Sequence, residues 1–180
     1  MRQPAPPYAN EGPFALWHVS EDPGIEEFRP HRAATAAEDE PLVWAIDTRH
    51  LPMYWFPRDC PRGTFWARAE TSDEDSERFL SGDTSRRVHA LQSDWLDRFR
   101  RAKLVAYRLP EEHFAPHDVG GYWIAREPVR PLERVEIDDL LARHAAAEIE
   151  LRVVPDLARL WEWAVASTLE YSGIRLANLR

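Results

Sequence analysis

The spacing of apolar residues divides the chain into many short strand-like runs and fewer helical ones. Phe14 to Ser20 reads as a first strand, closed by the turn Glu21-Asp22-Pro23-Gly24. Leu42-Val43-Trp44-Ala45-Ile46-Asp47 is a mostly apolar run of strand length and predicts a buried strand. Thr48 to Phe56 predicts a helical turn ended by Pro57, and Gly63 to Ala69 a further strand. Thr71 to Gly82 is strongly charged and reads as a connection. Val88, Leu91, Trp95, Leu96 and Phe99 recur at helical spacing, so a helix is expected over 84–102, capped by Asp83, Thr84 or Ser85. Lys103 to Leu109, Tyr122 to Arg126 and Val135 to Ile137 predict three more strands. Asp138 is placed to cap a helix through Leu140, Leu141 and His144, and Ile149 to Val154 alternates as a strand. Pro155-Asp156 then opens a terminal helix with Leu157, Leu160, Trp161, Ala164, Val165 and Leu169 on its apolar side, stopped by Gly173.

Strands outnumber helices and do not alternate with them regularly. The expected class is therefore α+β, a mixed or antiparallel sheet core with a few packed helices. Residues 1–13 are expected to form a flexible leader and 14–180 a single globular domain. The strands carrying His18 and Trp44 should lie side by side in one sheet, with the 84–102 helix packed on it.

Composition narrows the function classes. A chain of 180 residues can bury a real core without cross-links. Cys60 is the single cysteine, which excludes internal disulfides and multi-cysteine zinc cages. No apolar run approaches the ~20 residues of a membrane span, and Met1 to Glu11 has no secretory apolar region, so a cytoplasmic address is expected. A net charge of -8 argues against duplex nucleic acid as a partner. Arg98, Arg100, Arg101 and Lys103 read as the solvated end of a helix. Eight tryptophans are the informative excess, because indoles bury large areas and need partners for their N–H groups.

Several side chains carry candidate chemistry. His18 and Ser20 share one face of their strand, two residues apart, where they can hold a ribose or an amide. In Pro57-Arg58-Asp59-Cys60-Pro61-Arg62 two arginines, four apart and flanked by prolines, can grip a pyrophosphate or carboxylate, or Asp59 can pair with an arginine to brace a rigid loop. Cys60 reads as a small buried cysteine. His113, His117 and Asp118 have a spacing that suits a metal on a helix, but Pro116 and Gly120-Gly121 make a polar loop the expectation, so no metal is expected. Glu170, Tyr171, Ser172 and Arg175 read as the capped end of the terminal helix.

Leu16-Trp17-His18-Val19-Ser20, the strand Leu42 to Asp47 and Tyr54, ten residues after Trp44, resemble the ADP-ribosyltransferase fold family of the poly-ADP-ribose polymerase kind. That resemblance implies a cleft for NAD or a related small nucleotide. His18 would contact the adenosine ribose, Ser20 and the Val19 backbone the nicotinamide amide, and Trp44 and Tyr54 would flank the ring. Arg58 or Arg62 would neutralise a phosphate. The family's ribose-orienting glutamate would fall at Tyr122, with Glu127 further on, so a binding cleft is implied more firmly than transfer. From about Leu16 to Asn178 the chain also resembles a family of short bacterial proteins of unknown function. The motifs are His18-Val19-Ser20-Glu21, Val43 to Asp47, Pro57 to Arg62, and Ser167 to Leu176. The function class expected beside a nucleotide-binding protein or enzyme is a non-catalytic binding or protein-interaction module.

Overall fold

The computed structural model describes residues 12–32, 40–81 and 86–179. In chain order the strands are β1 (Leu16–Ser20), β2 (Val43–Asp47), β3 (Arg62–Trp66), β4 (Arg87–Gln92), β5 (Leu104–Leu109), β6 (Ala115–Pro116), β7 (Tyr122–Ala125), β8 (Glu133–Ile137), β9 (Glu150–Val154) and β10 (Glu170–Ile174). The helices are α1 (Asp73–Leu80), α2 (Leu96–Arg101), α3 (Leu140–Ala146) and α4 (Leu157–Val165). The class is α+β. Contacts gather the chain into two compact units, one of Gly12–Trp55 with Lys103–Ile137, the other of Phe56–Ala102 with Asp138–Arg180. No helix among the described residues is long and apolar enough to cross a membrane.

The first unit holds one antiparallel sheet in the order β6-β7-β2-β1-β5-β8. The strands carrying His18 and Trp44 are neighbours in it, as expected. Leu16, Val43, Ala45, Val105, Leu109 and Ala125 cover one face with a core closed by Phe28, Phe114 and Val129. Full burial of a large aliphatic or aromatic side chain contributes roughly 1.5–3 kcal/mol. The Tyr107 hydroxyl donates to the Asp22 carbonyl (2.7 Å) and accepts from the Ile25 N–H (3.2 Å), tying the turn after β1 to this core. The buried Thr48 hydroxyl accepts from the Ala15 N–H (2.9 Å) and the Trp17 indole (3.1 Å), fixing the entry into β1.

The second unit holds a mixed sheet, β10-β3-β4-β9, antiparallel except for the parallel pair β4–β9. Phe65, Val88 and Ala90 project from one face into a core with Phe79 and Leu80 of α1, Leu157 and Ala164 of α4, and Leu169. Gly63 and Gly173 are direct partners in the β3–β10 ladder. A Cβ on Gly173 would lie 2.7 Å from the Trp161 ring, and one on Gly63 3.0 Å from it.

Four expectations are corrected here. The helix expected over 84–102 is instead β4 followed by the short α2. Residues 87–92 pair with β3 on one side and β9 on the other, and that pairing overrides the weak helical spacing of Val88 and Leu91. The sheet they join is the second unit's, not the one that carries His18 and Trp44. Asp83, Thr84 and Ser85 lie outside the described residues, as does most of the expected leader. The charged segment Thr71 to Gly82 contains α1. Ser72 caps it by accepting from the Asp75 N–H (3.2 Å), and Asp73, Glu74 and Asp75 fill the first turn, where carboxylates favour the dipole. The terminal helix stops at Val165 and not at Gly173, and Glu170–Ile174 is an edge strand. One cap moves by a residue: Asp139, not Asp138, accepts from Ala142 at the start of α3.

Candidate functional site

Six residues were expected to meet one ligand: His18, Ser20, Trp44, Tyr54, Arg58 and Arg62. The β1–β2 register sets Trp17 opposite Ile46. Alternation then turns His18 and Ser20 to one face of the sheet and Trp44 to the other. His18 faces the core, its ring 4.7 Å from that of Phe28, with Nδ1 2.9 Å from the Trp44 carbonyl. The Ser20 hydroxyl accepts from the Asp22 N–H (3.1 Å) and belongs to the turn. Trp44 and Tyr54 are brought together on the opposite face, but Tyr122 stands between them. Its ring meets both edge-on, at 6.0 and 6.4 Å, and its hydroxyl lies 2.8 Å from that of Tyr54. His117 packs on Trp44 at 5.1 Å. Glu127 is exposed and lines a groove of about 420 Å³ with Glu112, His113, Phe114, Ile124 and Arg126. None of the six expected residues lines that groove. Among the described residues, no group of three or more His, Cys, Asp or Glu side chains is placed to hold a metal.

Arg58 and Arg62 belong to the second unit. Arg58 is exposed on the loop before β3, whose Asp59 carbonyl accepts from the Asn178 amide (2.9 Å). Arg62 is 2 % exposed, donates to the Cys60 carbonyl (3.0 Å), and holds its guanidinium over the Phe56 ring at 5.4 Å.

Arg62 opens onto the less expected feature of the molecule. The β3–β4 register pairs Thr64 with His89 and Trp66 with Arg87. Arg62, Thr64 and Trp66 therefore share a face with Arg87, His89 and Leu91, opposite the apolar core of Phe65, Val88 and Ala90. Thr64, Arg87 and His89 are fully buried. The pair Thr64–His89 sits at the centre, with Arg62 and Arg87 two residues away in opposite directions, about 7 Å each along the strands. Behind His89 stands His144 of α3, with His89 Nδ1 3.0 Å from His144 Nε2, and His144 Nδ1 2.7 Å from the Leu140 carbonyl. Phe56 and Phe99 enclose the imidazoles.

Burial and the neighbouring arginines set the protonation of this face. Burial pushes His89 well below the ordinary histidine range, and Arg87, His144 and Arg62 push it further in the same direction. Burial likewise lowers His144 to about 4, aided by Arg87 and opposed by the bond to Leu140. Burial raises the Cys60 thiol to about 12 even though Arg62 and Arg98 pull it down, so it is no thiolate nucleophile. Among the buried polar atoms on the face that have no hydrogen-bond partner among the described residues are Thr64 Oγ1, Trp66 Nε1 and His89 Nε2.

The sequence reading placed only Arg62 of this set. Arg87 and His89 were hidden because Val88 and Leu91 were assigned to a helical stripe. The signal was the period-two pattern Arg87-Val88-His89-Ala90, polar and apolar by turns.

Residues 17–179 match a family of unknown function, DUF6886, and the chain belongs to it. No curated protein and no solved structure matches the chain.

Proposed function

We propose that this chain, as a member of that family, binds a small oxyanion of the phosphate class on the polar face of the β10-β3-β4-β9 sheet. The observation that carries the reading is the pair of guanidiniums at Arg62 and Arg87, both 2 % exposed or less, flanking Thr64 and His89. Arginine is seldom so buried, and withdrawing each ion from water costs several kcal/mol. An oxyanion beside such guanidiniums makes charge-assisted contacts. The Thr64 hydroxyl and the Trp66 N–H add neutral donors on the same face.

A nucleotide such as NAD, in a cleft of ADP-ribosyltransferase type, is the narrower reading of the same ligand class. A pyrophosphate is an oxyanion, and this narrower reading rests on the motif resemblance of His18-Val19-Ser20, Trp44 and Tyr54 alone, because His18 and Ser20 face away from Trp44 and Tyr54 and all four lie in the other unit. Binding is proposed here, and transfer is not: Tyr122 occupies the expected glutamate position, and its hydroxyl is bonded to Tyr54.

Calorimetry with inorganic phosphate, ADP-ribose, NAD and nicotinamide tests the reading. Inorganic phosphate should bind and nicotinamide should not, and binding of ADP-ribose or NAD in addition supports the narrower reading. A charge-assisted contact contributes about 1.5–3 kcal/mol, so Arg62→Gln or Arg87→Gln should weaken binding about tenfold or more. No heat from any phosphate-bearing ligand at millimolar concentration rejects the proposal.

A further inference from the structure

The contacts around the two buried histidines fix where their protons sit. A carbonyl oxygen only accepts, so His144 Nδ1 must carry the hydrogen it gives to Leu140. A neutral His144 then has only a lone pair at Nε2. His89 must donate to that lone pair from Nδ1 across 3.0 Å, which leaves His89 Nε2 as an acceptor. That nitrogen is buried, without a hydrogen-bond partner among the described residues, and it lies on the face that Arg62 and Arg87 flank. The charged and titratable groups that act on it are Arg87 of its own strand, Arg62 of β3 and His144 of α3. All three discourage a second proton on the ring.

A site built only for a fully ionised anion would offer donors alone. This one offers the guanidiniums, a hydroxyl and an indole N–H, together with one acceptor. Resting on the oxyanion reading above, we infer that the site selects an oxyanion that still bears a proton, with His89 Nε2 accepting that O–H. Hydrogen phosphate and phosphate monoesters in their singly protonated form belong to this class. Sulfate does not, because it carries no proton at neutral pH and would press an oxygen lone pair against the His89 lone pair. An unpaired acceptor facing an acceptor is how polar sites reject near-isosteric ligands. His144 is a positioning residue: it touches no ligand, and it holds His89 in the tautomer that leaves Nε2 open.

Two measurements on the full chain test this. In long-range proton–nitrogen correlation spectra at neutral pH, both histidines should be neutral, with hydrogen on Nδ1 and none on Nε2. A proton on His89 Nε2, or a charged ring, overturns the inference. In calorimetric titrations, inorganic phosphate should bind at least tenfold more tightly than sulfate. Equal affinity overturns the inference and leaves the oxyanion reading standing, whereas binding of neither ion overturns both. His89→Phe should retain sulfate binding and lose the preference, and a preference that survives it counts against His89. Should that variant not fold, the spectra and the two wild-type titrations still decide.

Discussion

Gly63 and Gly173 face each other across the β3–β10 ladder, and the indole of Trp161 fills the room that their missing Cβ atoms leave. A methyl on Gly173 would lie 2.5 Å from Leu176 Cδ1 and 2.7 Å from the Trp161 ring, and one on Gly63 3.0 Å from that ring. Leucine can rotate away, but an indole wedged between a helix and a sheet cannot. Gly173→Ala should therefore destabilise the fold by about 1–3 kcal/mol, the usual cost of overpacking. Gly63→Ala should cost less. Thermal unfolding of the two variants checks the order, and a Gly63→Ala penalty larger than that of Gly173→Ala contradicts it.

Acid should weaken the second unit through its histidines. His144 titrates near 4 in the folded chain, and His89 also lies well below 6.5. In the unfolded chain both take up protons near 6.5. Between these limits the unfolded state binds more protons, so stability is full above about pH 6.5 and falls as pH drops towards 4. For His144 the loss is on the order of 3 kcal/mol. Denaturant midpoints measured from pH 7 to pH 4 should fall, and His144→Gln should flatten the slope. An unchanged slope in that variant would assign the acid sensitivity elsewhere.

Cys60 should resist alkylation. Its thiol is fully buried and pushed up to about 12, so thiolate is scarce at any ordinary pH. Iodoacetamide at pH 8 should modify it slowly in the native chain and rapidly in denaturant. Fast native labelling would mean that the loop before β3 opens readily.

The start of α1 should be sensitive to its cap and to one distant threonine. Ser72→Ala removes the acceptor for the Asp75 N–H and should cost about 0.5–2 kcal/mol. Asp75 in turn accepts from the Thr168 hydroxyl (2.6 Å) and N–H (2.8 Å), and these bonds hold its carboxyl below the usual range. Asp75 is half-buried and keeps its bond to the Thr168 N–H in Thr168→Val, so that variant should cost less than loss of the cap, and a double variant should reveal coupling.

How much of this was legible in the sequence depended on what made each segment regular. β1, β2 and β5 were readable because local composition alone makes them strands, and their neighbours in the sheet agree with it. Residues 87–92 were not, because their strand character comes from partners at 62–66 and 150–154, far away in the chain. α1 was missed because its stability comes from a cap and acidic first turn, while only Phe79 and Leu80 are buried. The candidate site followed the same rule. Arg62 stood out through its flanking prolines, but the partnership of Arg62, Thr64, Arg87, His89 and His144 exists only once a register is known. His18 and Trp44 show the converse: the strands were placed correctly, and the one-residue parity that sends their side chains apart was not.

The pairing of β3 with β10 has a consequence for synthesis. Residues 62–66 meet residues 170–174 only after the whole intervening chain, including the part that builds the other unit, has been made. At roughly 5–20 residues per second, β3 waits several seconds with one row of backbone N–H and C=O groups unsatisfied. Such an edge is a template for pairing with another nascent chain. Closing a loop this long also slows the last step of assembly relative to local hairpins. The ribosome-bound chain is therefore most prone to aggregate in the interval between completion of β4 and arrival of β10.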